Sequence, residues 1–205
     1  VEITKKYKIG TRRVGPVNWY GTWTLYLKEV LRFLNVWAQT LFSPLISSLL
    51  FLLVLSLAIG TERGEVLGVS FITFLAPGLI AMQIIQQAFS PSSSSLMIKK
   101  IDGTIVDLLF APLSASEATI AISLAAVTRS ALLAIISIIT FTLIIDIQIQ
   151  NYLTLISFTF LSSFILGNIG IIAGLLAEKF DNMETVTNFI IVHLFFLLVI
   201  VINLQ

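Results

Sequence analysis

The chain has 205 residues, and charged residues make up 11% of it, against roughly a quarter in a soluble domain. Apolar residues reach 57% and the mean hydropathy is +1.01, which excludes a soluble globular protein because such a surface would aggregate in water. The net charge of +1 excludes nucleic-acid binding through a basic surface, and the lack of cysteine excludes disulfides, thiolate metal sites and cysteine nucleophiles. We therefore expect a membrane protein without a cofactor.

Five long apolar runs, the third of which is interrupted only by Arg129, predict five membrane-spanning helices, since about 20 apolar residues cross a bilayer core of roughly 30 Å. The runs cover residues 40–60, 66–98, 118–145, 147–177 and 185–205. No signal peptide is expected at the start of the chain. The predicted fold is an all-α polytopic membrane protein with one domain over residues 1–205, in which residues 1–36 form a tail with an interfacial helix and residues 37–205 form the membrane bundle.

The basic residues are concentrated in every second predicted loop, and this bias predicts the orientation of the chain in the membrane. The basic residues of one side are Lys5, Lys6, Lys8, Arg12, Arg13, Lys28, Arg32, Lys99, Lys100 and Lys179. The loops of the other side contain only Arg63. We therefore expect a cytoplasmic N-terminus, outer loops at residues 61–65 and 146–151, and most simply a bacterial cytoplasmic membrane.

Residues 18–37 have the pattern of an amphipathic helix. The apolar side chains that recur at helical spacing are those of Trp19, Trp23, Tyr26, Val30, Phe33 or Leu34, and Trp37. Lys28, Glu29 and Arg32 fall mostly on other faces. This pattern predicts a helix in the cytoplasmic interface that contacts membrane lipids, and a cytosolic extension of the first span remains the alternative.

Two groups of helix-modifying residues lie inside the predicted spans. Pro77 and Gly78 in the second span predict a kink, for which we prefer a packing role to a gate. Gly167, Gly170 and Gly174 in the fourth span predict close approach of another helix, either within the chain or from a second copy.

The segment between the second and third spans is expected to leave the membrane. Residues 90–95 (SPSSSS) favour a turn and should end the second span. A short helix follows, with Asp102 as its N-cap, Pro112 as its end, and one apolar face formed by Ile101, Ile105, Leu108 and Leu109. Such a face must dock on the protein itself, on the membrane interface or in a groove of a soluble partner.

Ser114 and Glu117 have the spacing of a capping box and predict the start of the third long helix. A helix from there to residue 145 is about 46 Å long at 1.5 Å per residue, so its first third should protrude from the hydrocarbon core. Arg129 then lies near the inner interface, where it reaches water or phosphate. We prefer this role to substrate binding.

Few other residues could line a polar route, bind a metal or nucleotide, or catalyse a reaction. The second span contains Gln83, Gln86 and Gln87, which could line a polar route or bridge neighbouring helices. His193 has no carboxylate, cysteine or second histidine near it in the sequence, so it lacks partners for metal binding or base catalysis. Because no phosphate-binding Gly-Lys-Ser/Thr loop is present, ATP-driven transport would need an ATPase from another chain. We expect no catalytic or metal-binding residues.

The order of these features over residues 18–188 resembles the permease subunits of type-2 ABC exporters. The resemblance rests on LYLKEVLRF at residues 25–33, Pro44, LAPGL at 75–79, KIDGT at 100–104, LFAPLS at 109–114, and then Glu117 and Arg129. It implies a homodimer of permeases, each paired with a separate ABC ATPase subunit. The transported substrate would be of the drug, lipid or polysaccharide class, and its route would run between the two permeases.

The resemblance also implies roles for residues on the cytoplasmic side. The residues of the coupling helix and its flanks are Lys100, Ile101, Asp102, Gly103, Thr104, Ile105, Asp107, Leu108, Leu109, Pro112 and Leu113. Their apolar face and Asp107 would sit in a cleft of the ATPase. A second ATPase contact would come from Lys28, Glu29 and Arg32.

The C-terminal part departs from the resemblance, because the family usually has six spans. His193 stands where the family carries a proline, and the chain stops at Gln205. An inactive truncated permease or a membrane scaffold is therefore the main alternative. A secondary transporter is less favoured because no internal repeat or pair of mid-membrane ionisable groups is found, and an intramembrane enzyme lacks a nucleophile and base.

Overall fold

The computed structural model describes residues 15, 17–59, 65–66, 68–145, 149 and 151–177. Its helices are α1 (Trp19–Leu34), a π-helical turn (Ala38–Phe42), α2 (Ser43–Ile59), α3 (Phe71–Ile101), α4 (Ile105–Phe110), α5 (Ala115–Ile144) and α6 (Tyr152–Leu176). Two short antiparallel strands, β1 (Glu65–Val66) and β2 (Val69–Ser70), precede α3. Gly68 turns the chain between them with a φ of +79°, a conformation that favours glycine.

Four of the described helical segments are long and apolar enough to cross a membrane, namely Ala38–Ala58, α3, α5 and α6. They coincide with the first four predicted spans, and the all-α polytopic fold is confirmed. The fifth predicted span with His193 lies outside the described residues. The same holds for the basic residues before residue 15, for Arg63 and for Lys179.

The helix α1 forms where the amphipathic pattern predicts it. Asn18 is its N-cap, and the helix ends at Leu34, before the π-helical turn that leads into α2. Its buried face repeats every four residues and consists of Leu25, Glu29 and Phe33. The outward face carries large apolar side chains, those of Trp19, Tyr20, Trp23, Leu27, Leu31 and Leu34. Of the two alternatives that the pattern leaves open, Leu34 lies on the outward face, whereas Phe33 packs inward.

Close packing of α3 against α6 organises the membrane bundle. A Cβ atom at Gly170 would lie 2.5 Å from the carbonyl oxygen of Phe89, and one at Gly174 would overlap the carbonyl oxygen of Ser93. The α6 backbone therefore rests directly on α3, as small residues allow. The predicted close approach at these glycines is made within the chain.

The prediction that residues 90–95 end the second span is wrong, because α3 continues through Pro91 to Ile101. The hydroxyl groups of Ser92, Ser93 and Ser94 donate to backbone carbonyls of the same helix at 2.9, 2.9 and 3.2 Å. These hydroxyls bond to the backbone of their own helix and not to a turn, so the serines are accommodated within α3. The helix also passes through Pro77 and Gly78, where a kink stays a prediction.

The apolar core has two main layers along the bundle. One cluster is built around Leu52, Ile84 and Phe141, where α2, α3 and α5 meet. A second cluster, with Leu25 and Ile122, joins α1 to α5 at the end of the bundle where α4 lies. We call this the α4 end. It is there that the residues singled out by the sequence come together.

Candidate functional site

The chain turns sharply from α3 into α4 at residues 102–104. The backbone N–H of Asp102 donates to the carbonyl oxygen of Ile98 at 2.9 Å, so this residue ends α3. Gly103 follows with a φ of +73°, and Thr104 is the N-cap of α4. The prediction that Asp102 is the N-cap of the short helix is therefore wrong, because α3 extends farther than its sequence pattern indicates.

The short helix α4 presents apolar side chains on two sides. Ile105 and Leu108 pack inward on the cluster that joins α1 and α5. Leu109 and Phe110 point outward, with 75% and 85% of their surface exposed, and Val106 is also exposed. The prediction that Ile101 and Leu109 share one face with Ile105 and Leu108 is therefore wrong, since Ile101 ends α3 and is exposed. Sequence reasoning left out Val106 and Phe110, although apolar residues at almost every position of α4 signal that both sides are apolar.

A groove of about 370 Å³ separates α4 from α1. Lys28 of α1 and Asp107 of α4 both line it and are exposed. Pro112 and Leu113 close the groove beyond the end of α4. Opposite charges and apolar walls thus lie side by side at the α4 end.

Asn18 ties three segments together beside this groove. Its backbone N–H donates to Glu117 Oε1 at 2.6 Å, and its Nδ2 donates to the Pro112 carbonyl at 3.1 Å. The other carboxylate oxygen of Glu117 accepts from the Ser114 N–H at 2.7 Å, while Ser114 Oγ accepts from the Glu117 N–H at 3.3 Å. The predicted capping box is confirmed. The role of Asn18 was missed, although an asparagine before an apolar helix is an N-cap signal.

Glu29 holds α1 against α3. Its side chain is only 5% exposed and accepts from Lys99 Nζ at 2.5 Å and from Ser95 Oγ at 2.9 Å, while Arg32 lies 3.2 Å away. Burial acts to raise the pKa of Glu29, but Arg32, Lys99 and Ser95 together hold it below its ordinary value. Because this carboxylate is turned inward, Glu29 is not available for the predicted second ATPase contact, whereas Lys28 is.

Lys100 forms hydrogen bonds with the C-terminal end of α6. Its Nζ donates to the carbonyl oxygens of Leu175 and Ala177 at 2.8 and 2.6 Å. These carbonyls lie at the C-terminal end of α6, where a cation is favourable for the helix dipole. Lys100 therefore joins the end of α3 to the end of α6, and Ile101 beside it is exposed.

Arg129 and the glutamines of α3 border a second, larger cavity. This cleft has a volume of about 1020 Å³ and lies between α2 with its preceding turn and α3. Arg129 Nε donates to Gln87 Oε1 at 2.9 Å, and Gln83 Oε1 accepts from Ser137 Oγ at 2.8 Å. These glutamines bridge α3 to α5, one of the two roles that the sequence leaves open.

The arrangement suits binding and mechanical coupling. Within the described part of the chain, no three histidine or acidic side chains come together as metal ligands. The α4 end combines an exposed apolar helix with rigid connections to α1, α3, α5 and α6.

Comparison with known proteins gives one family and several relatives. The sequence profile of the family described as ABC-2 type transporter matches residues 20–205. The chain is 26% identical over 179 residues to the inner membrane transport permease YadH of Escherichia coli strain K12, with 87% of this chain and 70% of that protein covered. The proteins of the same name in Escherichia coli O157:H7 and Shigella flexneri match equally well. No solved structure matches the chain significantly.

Proposed function

Because this chain belongs to the ABC-2 type transporter family, we propose that it is the membrane subunit of an ATP-driven exporter. It is a transport permease rather than an enzyme, and ATP hydrolysis belongs to a separate ABC ATPase subunit. Two copies form a homodimer in the inner membrane, and the substrate is of the drug, lipid or polysaccharide class. The relatives named as inner membrane transport permeases support the transport role and the membrane.

The outward face of α4 is the observation that carries this proposal. Phe110, Leu109 and Val106 expose apolar surface on a helix of six residues, which is too short to span a membrane. Apolar side chains presented in this way favour insertion into a groove of a soluble partner. In our account that partner is the ATPase, and Asp107 and Lys28 supply the charged contacts beside the groove.

The connections of α4 explain how the ATPase moves the membrane helices. Asn18 joins the end of the α4 segment to the starts of α1 and α5, and Leu108 packs against the same elements. Lys100 joins the preceding residues to α6. Closure of the ATPase pair therefore displaces α4 as part of a rigid unit, so α1, α5 and α6 act as levers.

The distribution of charge supports a cytoplasmic position for the α4 end. The basic residues of the described part of the chain are Lys28, Arg32, Lys99, Lys100 and Arg129, and they lie on the α4 end or beside it. Cytoplasmic segments of membrane proteins carry this excess of positive charge. We infer that the N-terminus and α4 face the cytoplasm and the β1–β2 hairpin faces outward.

The exposed side of α2 supports contacts with lipid and with a second copy. Six of its large apolar side chains are exposed, those of Ile46, Leu50, Phe51, Leu53, Val54 and Leu57. In a bilayer such a face is covered by acyl chains or by another helix. The outward aromatic face of α1 suits the headgroup layer, where indole and phenol rings keep their polar edge in water.

The proposal is tested by co-purification of the tagged chain and its ATPase after substitution at α4. Leu109→Ser and Phe110→Ser should each reduce the amount of bound ATPase at least about fivefold, because each removes an exposed apolar anchor without disturbing the buried face of α4. Tyr152→Ser is the matched control, since Tyr152 is a large side chain that is 66% exposed at the opposite end of the bundle. Equal ATPase yield from all three variants would contradict this surface as the ATPase contact.

A further inference from the structure

We propose that the cleft between α2 and α3 binds an amphiphile with an anionic headgroup, which pairs with Arg129 and Arg32. The apolar part of the ligand lies farther along the cleft. This inference names a substrate class for the exporter and rests on the proposed function for the direction of transport. Binding itself requires only this chain.

Positive charge is concentrated in one part of the cleft wall. Arg32 and Arg129 both line the cleft, and Lys99 lies next to Arg32 through their common partner Glu29. Glu29 thus pairs with Arg32 and Lys99, and it does not pair with Arg129. In the described part of the chain no carboxylate contacts Arg129, whose polar contact is the amide oxygen of Gln87. An anionic group on the ligand balances this excess of positive charge.

The geometry of Arg129 favours an oxyanion. Its Nε donates a hydrogen bond to Gln87, and its guanidinium carbon lies 5.8 Å from the centroid of the Phe33 ring. The described residues provide no hydrogen-bond partner for its two terminal nitrogens, which remain available as paired donors. Such a fork matches a phosphate or carboxylate better than a single lysine ammonium does.

The unsatisfied amide of Gln83 is an independent observation. This side chain lines the cleft, is 5% exposed and fixes its Oε1 on Ser137. Its Nε2 has no hydrogen-bond partner within the described residues. A buried donor without a partner is costly, and a ligand oxygen in the cleft can supply the missing acceptor. Gln86 lines the same wall with a second amide.

The cleft is long and has both charged and apolar lining. Arg32 donates to the carbonyl oxygen of Pro91 at 3.3 Å, and Leu79, Met82 and Phe51 also line the cleft. Leu79 precedes Pro91 by twelve residues, which corresponds to about 18 Å along α3 at 1.5 Å per residue. A cleft of this length with arginines in its wall fits an acidic head beside Arg32 and Arg129 and an acyl or aromatic tail that extends along α3 toward Leu79, and it is larger than a small free anion needs.

The test measures binding to the purified full-length chain in a maltoside detergent by isothermal titration calorimetry. The probes are dihexanoyl phosphatidic acid, dihexanoyl phosphatidylcholine and inorganic phosphate, which separate an anionic amphiphile from a zwitterionic one and from the free anion. We expect phosphatidic acid to bind at least about tenfold more tightly than either of the others. Equal affinity for phosphatidylcholine, or equal affinity for phosphate, would overturn the proposal.

Substitution at Arg129 completes the test. Arg129→Gln should weaken phosphatidic acid binding about tenfold, and Arg129→Lys should restore part of the loss because charge is kept but the fork is not. Arg63→Gln, at a position between the first two predicted spans and outside the described residues, is the charge-matched control and should bind as the unchanged chain does. Unchanged binding by Arg129→Gln would overturn the assignment. The assay contains no ATPase, so its failure is separable from failure of the co-purification experiment.

Discussion

Glu29 of α1 and Lys99 of α3 form an ion pair in which the carboxylate oxygen and the ammonium nitrogen are 2.5 Å apart. Both side chains are largely buried, and Ser95 adds a hydrogen bond to the same carboxylate. This pair fixes the first helix to the end of the helix on which the bundle is organised. The position of α1, and with it the groove beside α4, depends on it.

Removal of one partner should destabilise the protein strongly. Glu29→Ala leaves the Lys99 ammonium buried without its carboxylate, which costs about 3–5 kcal/mol. The Glu29→Ala/Lys99→Ala double variant should lose less than the sum of the single variants, because no lone charge remains. Unfolding by increasing mole fraction of dodecyl sulfate in mixed micelles gives the three free energies. Lys28→Ala is the control and should change stability by less than about 0.5 kcal/mol. A double variant that loses as much stability as the two single variants together would contradict the coupling of Glu29 with Lys99.

Acidification should weaken the attachment of α1 to α3. In the folded chain the pKa of Glu29 is lowered from 4.5. The ionised carboxylate therefore stabilises the fold fully at a pH above its pKa in the unfolded chain. This stabilisation is lost as the pH falls through its pKa in the folded chain. The three tryptophans of the sequence, Trp19, Trp23 and Trp37, all lie in or just after α1. Acrylamide quenching of their fluorescence should stay constant from pH 8 to about pH 5 and change below about pH 4.5. Glu29→Gln should remove this acid-dependent step, and a step of equal size in that variant would exclude Glu29 as its origin.

The contact between α6 and α3 should not tolerate a methyl group at Gly174. Its Cβ would overlap the carbonyl oxygen of Ser93, a backbone atom that cannot move alone. We expect Gly174→Ala to lower stability by about 1–3 kcal/mol. Gly78→Ala is the matched control, because nothing lies within 4 Å of a Cβ there, and alanine is the better helix former by up to about 1 kcal/mol. Equal effects of the two substitutions in thermal unfolding would contradict the packing.

Asn18 should act through its amide nitrogen as well as through its capping oxygen. Asn18→Asp keeps an N-cap acceptor for Gly21 but loses the bond to the Pro112 carbonyl and places a carboxylate beside Glu117. We therefore expect Asn18→Asp to loosen α1 at least as much as Asn18→Ala, although aspartate caps helices as well as asparagine does. Tryptic cleavage after residues 28 and 32 measures the loosening. Cleavage by the aspartate variant at the rate of the unchanged chain would restrict Asn18 to a capping role.

Local features of the sequence predicted most of the fold. The first four spans, α1 and the Ser114–Glu117 capping box depend on runs of apolar residues or on spacings of three residues, which a sequence displays directly. The end of α3 was mispredicted because serines after Pro91 are turn formers in water, whereas here their hydroxyls bond the helix backbone. That effect depends on the low-dielectric surroundings of the helix and not on the local composition.

The candidate sites were predicted less completely than the fold. The sequence indicates that residues near α4 and α1 matter, but it does not show that Glu29 is turned inward or that Leu109 and Leu108 face opposite ways. Both facts depend on contacts between different helices, such as Glu29 of α1 with Ser95 of α3, 66 residues apart, and Leu108 with the cluster around Leu25 and Ile122. The cleft at Arg129 depends in the same way on α2, α3 and α5 meeting in space.

The central claim is that this permease works with a separate ATPase bound at the α4 end. The most direct measurement is a mild-detergent purification of the tagged chain from its native membrane, followed by mass spectrometry of the bound proteins. We predict an ATPase with a phosphate-binding Gly-Lys-Ser/Thr loop in equimolar amount, lost from the Phe110→Ser variant. A stably inserted chain that purifies without such a protein would contradict the claim and favour an inactive permease or an ATP-independent transporter.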